Sequence, residues 1–329
     1  MKAENEEYFL TGVNNKNFDE HTQLCLFPIP TEKRKWKVKV YAVNTNPGPL
    51  LDNWKNSLHR LGYEYEALCE GEKWGGWTWR TKKYIEKLAK EPEEQLFVLT
   101  DANDVFFIGG PYELMQNFKT YRSDVVVGAE HACSTGPNRS NLSLKANIMD
   151  YCKARNKDTR YLVPNGGFIM GFRTPLLNVL CANLNQEDDQ HGYLINWLAH
   201  PEVFKLDIYC RLVANVVYNF PFGDYEDDER IESDFFEFVE TRDELRVRQI
   251  ETKALPCAMH FPGGNMEAYN YFGPALLGKK FNLMTAKKYS LISTLKKSWT
   301  AEIKETLGLK FITGCSRILG NKYCENDGK

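Results

Sequence analysis

Apolar and polar positions alternate along Val38-Lys-Val-Tyr-Ala-Val43, the spacing of a half-buried strand, and the pattern stops at Pro47-Gly-Pro49. From Leu50 to Leu61 the period changes. Leu51, Trp54, Leu58 and Leu61 recur at helical spacing and end at Gly62, which predicts an amphipathic helix. The exchange of periods continues downstream: Tyr63–Leu68 and Leu96–Thr100 read as strands, Thr81–Ala89 and Tyr112–Phe118 as helices, and Asp124–Ala129 and Gly167–Phe172 as further strands. Phe235–Ile250 has the pattern of a β-hairpin ahead of Pro256-Cys-Ala-Met-His260. Alternating strands and helices predict an α/β domain with a mostly parallel sheet and helices on both faces.

Outside that alternation the pattern differs. Residues 1–35 are polar and irregular and read as an N-terminal arm. Residues 36–275 hold the predicted domain, and 276–329 form a C-terminal helical extension in which Leu291, Leu295, Trp299, Ile303 and Leu307 recur every four residues up to Gly308. Such a stripe must be buried against the domain or a second subunit; the expectation taken here is a homodimer through this helix.

Length and charge narrow the function classes. A chain of 329 residues can bury a substantial core, and a net charge of −2 carries no basic footprint for nucleic acid. The acidic run Asp224-Tyr-Glu-Asp-Asp-Glu229 reads as a solvated loop and is assigned no chemistry. Nine cysteines, an odd number without a CxxC pair, fit reduced thiols better than a disulfide framework. The leader Met1-Lys-Ala-Glu-Asn-Glu-Glu is charged, and no run of about eighteen apolar residues occurs. The expectation is a soluble, cytoplasmic chain with no membrane partner.

The candidate chemistry begins where Phe97-Val-Leu-Thr ends at Asp101-Ala-Asn-Asp104. Hard cations such as Mg²⁺ or Mn²⁺ take carboxylates together with phosphate oxygens, and ligands of open α/β sheets bind where parallel strands end. A solvated Asx turn would use the same residues, so the segment alone leaves both readings open. Gly71-Glu-Lys-Trp74-Gly-Gly-Trp77 offers an aromatic face and bare backbone, as would a structural loop. Asn165-Gly-Gly-Phe places glycines before a strand, where a substrate could pass close to the backbone. Glu187-Asp-Asp-Gln190 heads a helical segment and has a capping role as its structural alternative. His260 is either a satisfied core side chain or a ligand for a Mn-class metal.

Taken in order, Gly71-Glu-Lys-Trp-Gly-Gly, Asp101-Ala-Asn-Asp-Val, Gly128-Ala-Glu130, Asn165-Gly-Gly-Phe-Ile, Asp188-Asp-Gln and Met259-His260 resemble the glycosyltransferase domain of the procollagen lysyl hydroxylase and glucosyltransferase family. The resemblance implies a GT-A-like, Rossmann-type fold that binds Mn²⁺ (or Mg²⁺) and a UDP-sugar. By the same resemblance Asp101, Asp104 and His260 match the metal ligands. Val43 and Thr45 match uridine contacts, and Trp74 and Asn103 line the nucleotide site. Asp188 and Asp189 match the acids beside the transferred sugar. Glu130 and Asn165 fall on the acceptor side. The stretch after Trp74 is shortened relative to the family, and Lys83, or its neighbour Lys82, is left as the phosphate-contacting lysine. Asn103 stands where an aromatic is usual, and Ser134 where the acceptor side has a tryptophan. The implied reaction moves glucose from UDP-glucose to galactosyl-hydroxylysine of a collagen-like glycopeptide with retention. The alternatives are a UDP-galactose-dependent galactosyltransferase and a catalytically inactive sugar-nucleotide-binding scaffold.

Overall fold

The computed structural model describes residues 35–130, 161, 163–184, 192–194, 196–197, 203–217, 235–241, 244–262 and 265–278. These all fall within the unit Met1–Met284. Asp188, Asp189, Ser134, the acidic run 224–229, most of the N-terminal arm and the helix expected over 291–307 lie outside the described residues.

Strand β1 (Lys35–Val43) runs parallel to both β2 (Glu64–Leu68) and β3 (Gln95–Thr100). Beyond β3 come β6 (Val163–Phe172), antiparallel to both its neighbours, then β5 (Val125–Glu130), then β7 (Lys205–Asp207), parallel to β5. The order β2-β1-β3-β6-β5-β7 gives the expected mixed α/β architecture, a mostly parallel central sheet flanked by helices. A hairpin of β9 (Phe236–Glu240) and β10 (Leu245–Gln249) stands where the alternation predicts one.

Alternation within each strand divides the core between the two faces. On one, Val40, Val98, Val126 and Met170 pack against α1 (Pro49–Arg60) and α3 (Pro111–Thr120) through Leu51, Trp54, Leu58, Leu114 and Phe118. On the other, Tyr41, Phe97, Leu99, Val127 and Ile169 meet α2 (Trp77–Leu88) and α4 (Arg173–Ala182) through Tyr84, Leu88, Leu176 and Leu180. Trp54 is fully buried and donates its indole N–H to Thr100 Oγ1 at 3.0 Å. Truncating such a side chain costs about 3–5 kcal/mol. This packing therefore holds the end of β3, where the acidic pair begins.

A second, three-stranded sheet orders β4 (Val105–Phe107), β11 (Ala258–His260) and β8 (Val213–Asn215). Each is too short to be read from periodicity; the turn feeding β8 is fixed instead by a buried acid. Asp207 accepts hydrogen bonds from the backbone N–H groups of Arg211, Leu212 and Val213, each at 2.8 Å, and from the Tyr121 hydroxyl. Burial outweighs the downward pull of these four donors and leaves its carboxyl raised to about 6.

Candidate metal centre and donor site

The loop Asp101–Asp104 carries the chain from β3 in the main sheet to β4 in the small one. Its ends are pinned by backbone bonds: Asp101 N–H donates to the Gly167 carbonyl at 3.0 Å, and Phe261 N–H donates to the Asp104 carbonyl at 2.9 Å. On β11, His260 is the register partner of Val105 across the antiparallel pair and of Asn215 across the parallel one. The small sheet thereby delivers an imidazole from the far end of the chain to the acidic loop. His260 Nε2 lies 3.7 Å from Asp101 Oδ2 and 3.7 Å from Asp104 Oδ1, and ligand atoms from all three side chains lie within 4.8 Å of one another.

The orientation of the imidazole follows from its partners. Asn215 donates Nδ2–H to the Ala129 carbonyl at 2.8 Å, which turns its Oδ1 toward His260 Nδ1 at 2.6 Å. With Oδ1 as acceptor, Nδ1 carries the proton and Nε2 presents its lone pair to the acids. Nε2 is buried and finds no hydrogen-bond partner among the described residues; leaving such an atom unpaired costs about 1–3 kcal/mol. Burial disfavours the imidazolium, yet the carboxylates of Asp104 and then Asp101, with Glu130 beyond them, raise the pKa above its ordinary value. A field that favours a proton on Nε2 also favours a cation there. Two carboxylates beside an orphaned, buried imidazole nitrogen fit a divalent ion of the Mn²⁺ class.

Gly167 is part of the same construction. A Cβ on it would lie 2.2 Å from His260 Cε1 and 2.7 Å from Nε2. The close approach to backbone that the glycines suggested for a substrate is made here by the protein's own imidazole. Across β5 and β6 the register jumps between Val127 and Gly128, which pair with Ile169 and Asn165, and Gly166–Phe168 lie in the gap. Asn165 accepts from Gly167 N–H at 2.8 Å and donates Nδ2–H to the buried Glu130 at 2.8 Å, so these two acceptor-side candidates form one buried polar pair.

Of the nucleotide-side candidates, Val43, Thr45 and Asn103 lie at the ends of β1 and β3. Val43 N–H donates to Tyr84 Oη at 3.1 Å, and the Tyr84 hydroxyl donates to the Thr100 carbonyl at 2.9 Å. Asn44 donates Nδ2–H to Asn103 Oδ1 at 2.6 Å, and the Thr45 carbonyl accepts from Gly71 N–H at 3.1 Å. Trp74 is 43% exposed and meets Trp77 and Trp79 edge-on, at centroid distances of 5.3 and 5.6 Å. Gly75 has to be bare because a Cβ would lie 2.5 Å from the Trp79 ring. Lys83 pairs with Glu72 at 3.3 Å and lies over Trp79, 5.5 Å from its ring centre.

Among the described residues, the cation that pairs with the cluster is Arg80, at Asp101. It is buried on α2, lies over the Trp77 ring at 4.6 Å and donates Nη1–H to Asp101 Oδ1. Neither Arg80 nor Asn215 emerges from the sequence reading. Each is a polar residue among apolar or aromatic neighbours, in Trp77-Thr-Trp79-Arg80 and Val213-Ala-Asn-Val216, a pattern that signals a satisfied partner when buried.

A family model described as "PLOD GT domain" matches residues 34–278. Procollagen-lysine,2-oxoglutarate 5-dioxygenase 1 of Bos taurus is 30% identical over 251 residues, and the Homo sapiens protein of the same name is 29% identical over 252. Each alignment takes in 71% of this chain and 31% of the relative, so the chain spans about a third of the length of the curated relatives it matches. Among solved structures, mouse xyloside xylosyltransferase 1 in its apo form matches at 12% identity with a TM-score of 0.39, covering 69% of this chain and 98% of that one.

Proposed function

Because the chain belongs to the family of PLOD glycosyltransferase domains, we propose that it transfers a hexose from a UDP-sugar, specifically glucose from UDP-glucose, to galactosyl-hydroxylysine of collagen-like chains with retention of configuration. The observation that carries this reading is the convergence of Asp101, Asp104 and His260, with an orphaned Nε2 among them. A Mn²⁺-class ion held by these three side chains would supply positive charge to the diphosphate as the glycosidic bond to UDP breaks.

The chain's own residues divide the remaining work. Asn215 keeps the His260 lone pair aimed at the acids, and Gly167 leaves room for the ring. Val43, Thr45 and Asn103, at the ends of β1 and β3, would flank the uridine, with the exposed Trp74 offering an aromatic face to the base. Lys83 would reach a phosphate on leaving Glu72. Asp188 or Asp189 would stand beside the transferred sugar, stabilising positive charge at its anomeric carbon or orienting the acceptor hydroxyl. Glu130 and Asn165 would shape the acceptor side.

A panel of UDP-sugars, each assayed for UDP release with Mn²⁺ and a galactosyl-hydroxylysine peptide, tests this directly. UDP-glucose should turn over fastest, with glucose found on the peptide. Transfer from UDP-galactose to a hydroxylysine peptide would make the chain a galactosyltransferase, and UDP binding without turnover of any donor would make it a scaffold.

A further inference from the structure

Arg80 is an unusual neighbour for a cation site. Its guanidinium lies over the Trp77 ring, 4.6 Å away, and donates to the Oδ1 oxygen of Asp101. Oδ2 of the same carboxylate faces His260 Nε2 at 3.7 Å. The two oxygens of Asp101 are thus divided: one is spent on a fixed internal cation, the other is turned to the cluster that would hold an external one. Asp104 Oδ1 faces the same nitrogen at 3.7 Å. The helix holds the cation in place, since Arg80 is 6% exposed, one turn before Tyr84, which braces the ends of β1 and β3.

We infer that Arg80 is a built-in counter-charge that makes cation binding at Asp101, Asp104 and His260 depend on an anionic diphosphate. A guanidinium sharing a carboxylate with a divalent ion repels that ion at short range, in a site too buried for water to screen it fully. The protein alone therefore holds the metal weakly. A diphosphate reverses the balance by bringing negative charge to both cations at once, and a guanidinium fork suits phosphate oxygens as well as a carboxylate. Metal and nucleotide then bind with positive coupling, each raising the affinity of the other by the same factor. Arg80 also restricts Asp101 to ligation through one oxygen. The diphosphate part rests on the nucleotide-sugar reading above; the repulsion between Arg80 and the metal does not.

The test is a Mn²⁺ titration of the full chain, followed by the electron paramagnetic resonance signal of free Mn²⁺, with and without UDP. Wild type should bind Mn²⁺ weakly alone and about tenfold or more tighter with UDP. Arg80→Met should bind Mn²⁺ alone about tenfold tighter than wild type and lose most of the gain from UDP, while Arg80→Lys, which keeps the charge, should track wild type. If Arg80→Met does not fold, Arg80→Gln provides the same comparison. Charge-removed variants that bind Mn²⁺ alone no better than wild type would overturn the inference and leave Arg80 as a brace for Asp101. If UDP changes nothing in wild type while removal of the charge still tightens Mn²⁺, the repulsion stands and the nucleotide reading falls.

Discussion

Replacing Gly167 by alanine adds a single carbon at the point where β6 meets the metal cluster. That carbon would sit 2.2 Å from His260 Cε1, 2.7 Å from Nε2 and 2.9 Å from Nδ1. Comfortable carbon contacts lie at about 3.5–4.0 Å, so the ring or the strand must shift by roughly 1.3 Å or more. The ring has little room, being 2% exposed and held through Nδ1 by Asn215 at 2.6 Å. Overpacking of this kind costs about 1–3 kcal/mol, and a domain of this size loses about 2–4 °C of melting temperature per kcal/mol. The structure identifies the cause, so a double-mutant cycle can isolate it. In a His260→Ala background the added methyl has space, and Gly167→Ala should then cost little or nothing; the difference between backgrounds is the coupling energy. Thermal melts of the four proteins measure it. Equal losses with and without the imidazole would refute the steric account. Displacing the ring should also weaken Mn²⁺ binding, since the His260 lone pair would no longer face the acids.

Three further outcomes are expected. Asn215→Ala removes the acceptor that fixes the His260 tautomer, and Mn²⁺ affinity should fall about 10–100-fold, the usual effect of losing the partner that orients a metal ligand; an unchanged affinity would contradict that role. At Asp188 and Asp189, a capping function would cost about 1 kcal/mol or less on change to Asn, whereas a place beside the reacting sugar predicts that at least one Asn variant loses kcat by orders of magnitude with UDP affinity near normal, and two near-wild-type variants would end the proposal. The stripe Leu291, Leu295, Trp299 and Ile303 predicts a homodimer that polar residues at 295 and 299 shift toward monomer in sedimentation, an expectation that fails if the unmodified chain is already a monomer at micromolar concentration.

What could be read from the chain was what repeats. The alternation at Val38–Val43 and the helical spacing of Leu51, Trp54 and Leu58 are periodic, and both appear in the structure as β1 and α1. The ends of elements are not periodic. Strand β6 begins at Val163 rather than Gly167 because β5 pairs with Val163, Pro164 and Asn165, residues whose own preferences would not make a strand. Helix α2 begins at Trp77 rather than Thr81, since Trp77-Thr-Trp79 resembles the loop before it more than an amphipathic face. Asp101, Asp104 and His260 could be proposed together through family resemblance, but the reason they meet, pairing of β4, β11 and β8, depends on three-residue strands that carry no periodic signal. Arg80, Asn215 and Gly167 act through single contacts. Arginine on a helix reads as a solvated face, asparagine as a turn and glycine as flexibility, until the neighbour each one serves is known.

The proposed function makes transfer from a UDP-sugar depend on a divalent ion held by Asp101, Asp104 and His260. Its most direct test is the rate of UDP release from UDP-glucose in the presence of a galactosyl-hydroxylysine peptide, measured for wild type in EDTA, after Mn²⁺ is restored, and for Asp101→Ala and Asp104→Ala in saturating Mn²⁺. No turnover is expected in EDTA, recovery with Mn²⁺, and none in either variant, with thermal transitions largely intact because both acids sit in a partly exposed loop. Wild-type rates persisting in EDTA, or turnover surviving the loss of either carboxylate, would contradict it.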